Sequence, residues 1–98
     1  MYVVPNPYKS GEVVWDEIGG AHVEFRNLPE SATIKIFNVA GDFIRTIEHG
    51  RDEYGAARSS EAWDLKNKAG ERVASGVYLY YIQTPGGEIV QGHFVIIL

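Results

Sequence analysis

Residues 60–82 read SEAWDLKNKAGERVASGVYLYYI. Two strand-forming runs flank a turn. The first carries Trp63, the largest apolar side chain the chain has to bury. The second, Val77-Tyr78-Leu79-Tyr80-Tyr81-Ile82, is almost wholly β-branched, aromatic and aliphatic, the residue types that favour strands. Asn67, Gly70 and Gly76 between them let the backbone turn. The hairpin continues through Pro85-Gly86-Gly87, a tight turn, into a last strand from Glu88 to Leu98.

Working back toward the start, the same grammar recurs. Tyr2 to Val4 reads as a short strand stopped by Pro5-Asn6-Pro7, since each proline removes a donor from a ladder. Tyr8 to Ala21 is the least regular part, with Val13-Val14-Trp15 as an edge strand or a lid. His22 to Asn27 alternates, with Val23 and Phe25 on one face and Glu24 and Arg26 on the other. Ala32 to Asn38 alternates again, with Ile34 and Ile36 inward, and turns through Gly41 into Phe43 to Glu48, with Ile44 inward and Arg45 outward. His49 to Ser59 is polar loop, and Ser60 to Leu65 is the Trp63 strand. No segment sustains a helical period. Six or seven strands at this turn spacing predict an all-β sandwich of two sheets with essentially no helix. The predicted inward set is Val23, Phe25, Ile34, Ile36, Ile44, Trp63, Tyr78, Tyr80, Ile82, Phe94 and Ile96.

At 98 residues the chain is expected to be one domain, residues 1–98, large enough to bury roughly two thirds of its unfolded surface around one core. Its net charge of −4 and scattered basic residues argue against nucleic acid, whose phosphates need clustered Lys and Arg. No apolar run is long enough for a membrane-spanning helix, so no membrane insertion is expected. Cysteine is absent, which removes disulfides and thiol chemistry. Met1 runs directly into strand-like residues with no leader, so the chain is expected to be a fragment of a longer protein.

Residue types that carry chemistry are present but do not converge. His22, His49 and His93 have no second ligand type at metal spacing and read as strand-end or surface residues. Asp16-Glu17 and Asp52-Glu53 read as solvated loop charge. Asp64 and Asn67 could offer oxygens to Ca²⁺, but the turn is too short to supply a full shell, and side chains that tie their own turn are favoured. None of Ser10, Ser31, Ser59, Ser60 and Ser75 sits in a nucleophile elbow. Gly19-Gly20 and Gly86-Gly87 lack the helix a phosphate cradle requires. No catalytic, cofactor or metal residues are assigned, and no enzyme activity is expected.

The aromatics raise the one sharp question. Tyr78, Tyr80 and Ile82 fall on one face of their strand, but Val77, Leu79 and Tyr81 make the other face apolar too. Val95 and Ile97 repeat this on the last strand. Either the loop from Tyr8 to Ala21 covers that outer face, or Val77, Leu79, Tyr81, Val95 and Ile97 dock on a neighbouring domain or another copy. Trp15 is a lid over the sandwich end or, with Tyr81, a stacking platform for sugars.

Several stretches together resemble one known group. They are VVPNPY at 3–8, FRNLP at 25–29, IKIFNVAGD at 34–42, WDL at 63–65, ASGVYLY at 74–80 and GHFVII at 92–97. The chain resembles the Ig-like domain that closes many large secreted and surface proteins of Bacteroidetes-type bacteria. That domain is similar to the Ig-like domain of the flagellar hook-capping protein FlgD and to type IX secretion C-terminal sorting domains. The resemblance implies an immunoglobulin-like β-sandwich of about seven antiparallel strands, a non-catalytic module at the C-terminus of a longer exported protein, secreted or at the cell surface, for sorting or for packing against its parent. It implies as partners the preceding domain and the outer-membrane export machinery, which would read a terminal strand, here Gly92, His93, Phe94, Val95, Ile96, Ile97 and Leu98. Where such ends commonly carry a basic residue, this chain has His93 and Leu98. A carbohydrate-binding accessory module using Trp15 and Tyr81, and a structural domain of a flagellar-hook-type assembly, are the alternatives.

Overall fold

The structure, a computed structural model, describes residues 1–9, 22–51 and 54–98. These form eight strands: β1 Tyr2–Val4, β2 Tyr8–Lys9, β3 Val23–Arg26, β4 Ala32–Asn38, β5 Phe43–His49, β6 Glu61–Trp63, β7 Gly76–Gln83 and β8 Ile89–Ile97. There is no helix among the described residues. One sheet is ordered β1-β3-β6 and the other β2-β8-β7-β4-β5. All pairings are antiparallel except β2 with β8, which is parallel. The all-β sandwich is therefore as expected, with eight strands where about seven are predicted.

The extra strand is β2. Tyr8 and Lys9, read as the start of an irregular loop, pair with Ile96 and Ile97, and the Tyr8 ring is fully buried. The prolines do stop β1, and the chain then crosses from one sheet to the other through Pro5-Asn6-Pro7, with the Val4–Pro5 and Asn6–Pro7 bonds cis. Residues 10–21, with the Val13-Val14-Trp15 segment and the cover they offered the outer face, lie outside the described residues.

Period-two alternation puts one face of each strand inward, and the inner faces meet over an aromatic cluster. Trp63 is 1% exposed and touches Tyr78 and Phe94 edge to face, with centroids 6.1 and 6.0 Å away. Phe25 packs on Tyr80 and Phe94 at 5.6 and 6.1 Å. Such pairs add to simple area burial because the ring edge is positive and the face negative. The Trp63 indole donates through Nε1 to the Lys66 carbonyl at 2.9 Å, so the polar end of the ring is satisfied. The Tyr78 hydroxyl donates back to the Ala74 carbonyl, and burial pushes the phenols of Tyr78 and Tyr80 up from their ordinary value.

Ten of the predicted inward residues are buried; Ile44 is only partly buried against the core. The reason is a register shift between Ile36 and Phe37. Ile36 faces Arg45 and Phe37 faces Phe43, so Ile44 is the extra residue of a bulge. The same shift corrects Arg45. It stands opposite buried Ile36, not outward, and its Nη1 reaches across to Asp64 Oδ1 at 3.1 Å and the Lys66 carbonyl at 3.2 Å. Val3, Tyr8, Leu28, Ala32, Leu65 and Val73 complete the core. The Trp63 strand is three residues long, because Leu65 turns the chain with a φ of 61°, a left-handed conformation uncommon for a branched residue.

Candidate functional site: the outer face of the large sheet

With its inner face spent on the core, the five-stranded sheet turns a second apolar surface outward. The register decides its membership. Val77 lies opposite Val95, Leu79 opposite His93 and Phe37, and Tyr81 opposite Gln91 and Lys35. Directly opposed residues share a face. So Val77, Leu79, Tyr81 and Val95 stand together across β7 and β8, with Ile97 beside Lys9 at the end. All five residues singled out from the sequence share this face. Tyr81 and Val77 are each 37% exposed and Ile97 44%, while Leu79 and Val95 are half-buried by their neighbours.

The structure extends the surface beyond those five. Phe37 sits between Tyr81 and Phe43, meeting both rings edge to face at 5.6 and 5.7 Å. Lys68 lies 5.5 Å over the Phe43 ring, within cation–π reach. A shallow groove of about 460 Å³ runs between Phe37, Leu79, Tyr81 and Ile89, with Thr33, Lys35, Gly41 and Gln83 at its margins. Parity places Phe37, Phe43 and Ile89 outward, and the register joins them to Leu79 and Tyr81. Each falls on the odd positions of a strand whose even or opposite positions were read as core.

The proposed terminal signal, Gly92 to Leu98, is structural along one side. Phe94 and Ile96 are fully buried and Gly92 lies against Tyr80, whereas His93, Val95, Ile97 and Leu98 point away from the core or lie at its rim. The Leu98 amide donates to Ser75 Oγ at 2.9 Å. Of the sugar-stacking pair, Tyr81 presents its ring outward, and Trp15 lies outside the described residues, as do Asp16, Glu17, Asp52 and Glu53.

The remaining candidates have structural employment. Asp64 Oδ1 takes Arg45 and the Lys66 amide, and Asn67 Oδ1 takes the amides of Ala69 and Glu71, so both tie their own turn. His22 Nε2 lies 3.5 Å from Glu24. His93 is exposed on the outer face. His49 corrects the surface reading: it ends β5 and is 3% exposed. Its Nδ1 is 3.0 Å from Glu61 Oε1 and its Nε2 is 2.8 Å from the Arg58 carbonyl. Arg58 Nη2 donates to the same Glu61 oxygen at 3.1 Å. The cluster fastens the end of one sheet to the start of β6 in the other. Among the described residues no group of three or more His, Asp or Glu is arranged to hold a metal ion.

The fold and this outward surface define an immunoglobulin-like, all-β sandwich module. Comparisons with protein-family models and with curated proteins find no match. Solved structures do match. PorZ, a bacterial surface component of the type-IX secretion system of Porphyromonas gingivalis, gives a TM-score of 0.71 over 99% of this chain at 24% identity. PorU of the same organism, in its dimeric latent form, gives 0.63 over 98% at 21% identity. FlgD from P. aeruginosa gives 0.52 over 76% at 22% identity. These are the groups the sequence resembles, and at such identities the likeness is one of fold. The chain spans 11% of the PorZ chain, 9% of PorU and 60% of FlgD.

Proposed function

We propose that residues 1–98 are a non-catalytic Ig-like module at the C-terminal end of an exported bacterial protein, and that the module docks the outer face of its large sheet on the preceding domain of its parent. The observation that carries this is the second apolar surface. A sandwich needs one buried face per sheet, and here Phe37, Leu79, Tyr81, Val95 and Ile97 stand on the face the core does not use. Contiguous outward apolar surface of this kind marks interaction sites. Domain–domain docking within one chain needs no polar chemistry beyond a satisfied rim, which Lys35, Gln83 and Gln91 supply. Placement at the secreted or cell-surface end of a long chain rests on the PorZ and PorU fold matches, in each of which a chain of this size spans about a tenth of the whole. In the same reading the outward residues of Gly92 to Leu98 are what the export machinery reads.

The test is made in the full parent chain. Leu79→Lys with Tyr81→Lys keeps both Trp63 and the inner face intact, so the module stays folded, with a wild-type tryptophan emission. Proteolysis at the junction before Tyr2 is expected to speed up in this variant. Junction cleavage at the wild-type rate removes the docking. For export, residues 1–98 are fused to a reporter in a type IX-competent cell; a reporter at the surface supports sorting, and one stranded in the periplasm removes it.

A further inference from the structure

Among the described residues, the outer edge of β8 is only half covered. The Thr84 amide donates to the Glu88 carbonyl at 2.9 Å, and pairing continues through Ile82 with Val90 and Tyr80 with Gly92. The even-numbered residues of β8 therefore turn their main-chain groups toward β7, and the odd-numbered ones turn theirs off the sheet. Asn6 agrees with this parity. Its Nδ2 donates to the His93 carbonyl at 3.3 Å, and its Oδ1 accepts from the Val95 amide at 3.1 Å. That side-chain amide stands in for a strand backbone, and β2 takes over at Ile96 and Ile97. Ile89 and Gln91 lie before Asn6, and no described residue pairs with their outward N–H and C=O groups.

Edges left open are normally blunted by charge, proline or a covering segment. The opposite edge, β5, carries Arg45 and Glu48, and its Ile44 carbonyl takes the Lys68 amide at 3.0 Å. The β8 sequence IVQGHFVII has no proline and no Lys, Arg, Asp or Glu. Ile89 is 60% exposed beside it.

We propose that this edge pairs with the same edge of a second copy of the chain, antiparallel, about a two-fold axis at Val90. In that register Ile89 of each copy faces Gln91 of the other, and each such pair exchanges both of its main-chain hydrogen bonds, using the groups that Asn6 and β2 leave open. Val90 meets Val90, and Glu88 falls opposite Gly92, so no like charges collide. The edge supplies its own complement, which is why the occupant is a second copy. The bonds proposed are made by main-chain groups of the edge; Ile89 and Gln91 also carry side chains on the outer face, and Leu79→Lys, which alters that face alone, separates this inference from the docking proposed above.

Sedimentation equilibrium up to millimolar concentration tests it on the wild type, Ile89→Lys, Gln91→Pro and Leu79→Lys. The Gln91 N–H points away from β7, so proline there removes no bond of the fold. Wild type and Leu79→Lys are expected to dimerise with concentration. Gln91→Pro is expected to weaken dimerisation about tenfold or more, the worth of one or two lost hydrogen bonds, and Ile89→Lys to weaken it by setting a like charge from each copy diagonally across the seam. A wild type that is monomeric throughout, or variants that dimerise as it does, overturns the proposal. Amide exchange on the wild type alone gives a second reading: the Ile89 and Gln91 amides slow as concentration rises, and unchanged exchange overturns it equally.

Discussion

The Tyr80 ring lies against Gly92: a methyl group at that glycine would stand 2.5 Å from the Tyr80 hydroxyl oxygen and 2.6 Å from the ring carbon bearing it. The two are direct partners across β7 and β8. Phe25 at 5.6 Å and Phe94 at 6.1 Å pack against the same ring and oppose its retreat. Glycine is needed here for space. Gly92→Ala is expected to cost about 1–3 kcal/mol, the usual range for overpacking. Urea unfolding should show a lower midpoint with an unchanged slope. An unshifted midpoint would show that the core yields there.

Two buried phenols set an alkaline limit. Burial raises the folded-state values of Tyr78 and Tyr80 above the ordinary 10.0. Below pH 10 these phenols are neutral in both states, and their contribution to stability is complete. As pH climbs past 10 the unfolded phenols ionise first, and stability falls until the folded ones ionise too. Phenolate absorbance should therefore show the Tyr78 and Tyr80 phenols titrating late, together with unfolding. Tyr80→Phe should flatten the alkaline loss of stability; an unchanged slope would assign that loss elsewhere.

The buried imidazole of His49 is a joint between the sheets. Both ring nitrogens face acceptors, the Glu61 carboxylate and the Arg58 carbonyl, and Glu61 in turn holds Arg58. His49→Leu removes both ring contacts, leaving the Arg58 carbonyl without its imidazole partner and Glu61 with Arg58 alone. The expected cost is about 1–3 kcal/mol. Glu61→Gln should cost less in the His49→Leu background than in the wild type, and a double-mutant cycle measures that coupling. Additive effects would dissolve the joint.

Asn6 clips the crossover between sheets to β8 through two side-chain bonds, to His93 and Val95. Asn6→Ala is expected to cost about 1 kcal/mol and to speed exchange of the Val95 amide while that of Phe94, bonded to β7, keeps its rate. Asn6→Asp keeps the acceptor for Val95 and loses the donor to His93, so its Val95 amide should stay slow. Equal exchange in both variants would contradict this division of labour.

What could be read from the sequence followed from periodicity. Val23 and Phe25, Ile34 and Ile36, and Tyr78, Tyr80 and Ile82 alternate cleanly, and all are buried as read. Where a local event breaks the period, reading failed. One bulged residue at Ile44 moves Arg45 to the inner face. Two residues, Tyr8 and Lys9, are too few to show any period, and their parallel pairing with β8 is a long-range choice. Leu65 and Val73 enter the core from an irregular turn, joined by the Val73 amide on the Leu65 carbonyl at 2.9 Å. His49 is polar by type, and only its partners make burial affordable. The outer face was half legible. Leu79 and Tyr81 stood out within one strand, but joining them to Phe37 and Phe43 required the register.

Hydroxyl-radical footprinting of the outer face, on the isolated module and on the full parent chain, is the decisive comparison. Docking through the large sheet leaves Phe37, Leu79 and Tyr81 reactive in the isolated module and shields them in the parent, while Tyr54, 87% exposed on the far loop, reacts alike in both. Equal reactivity of Tyr81 in the two samples would contradict it and leave the second apolar surface without a partner in its own chain.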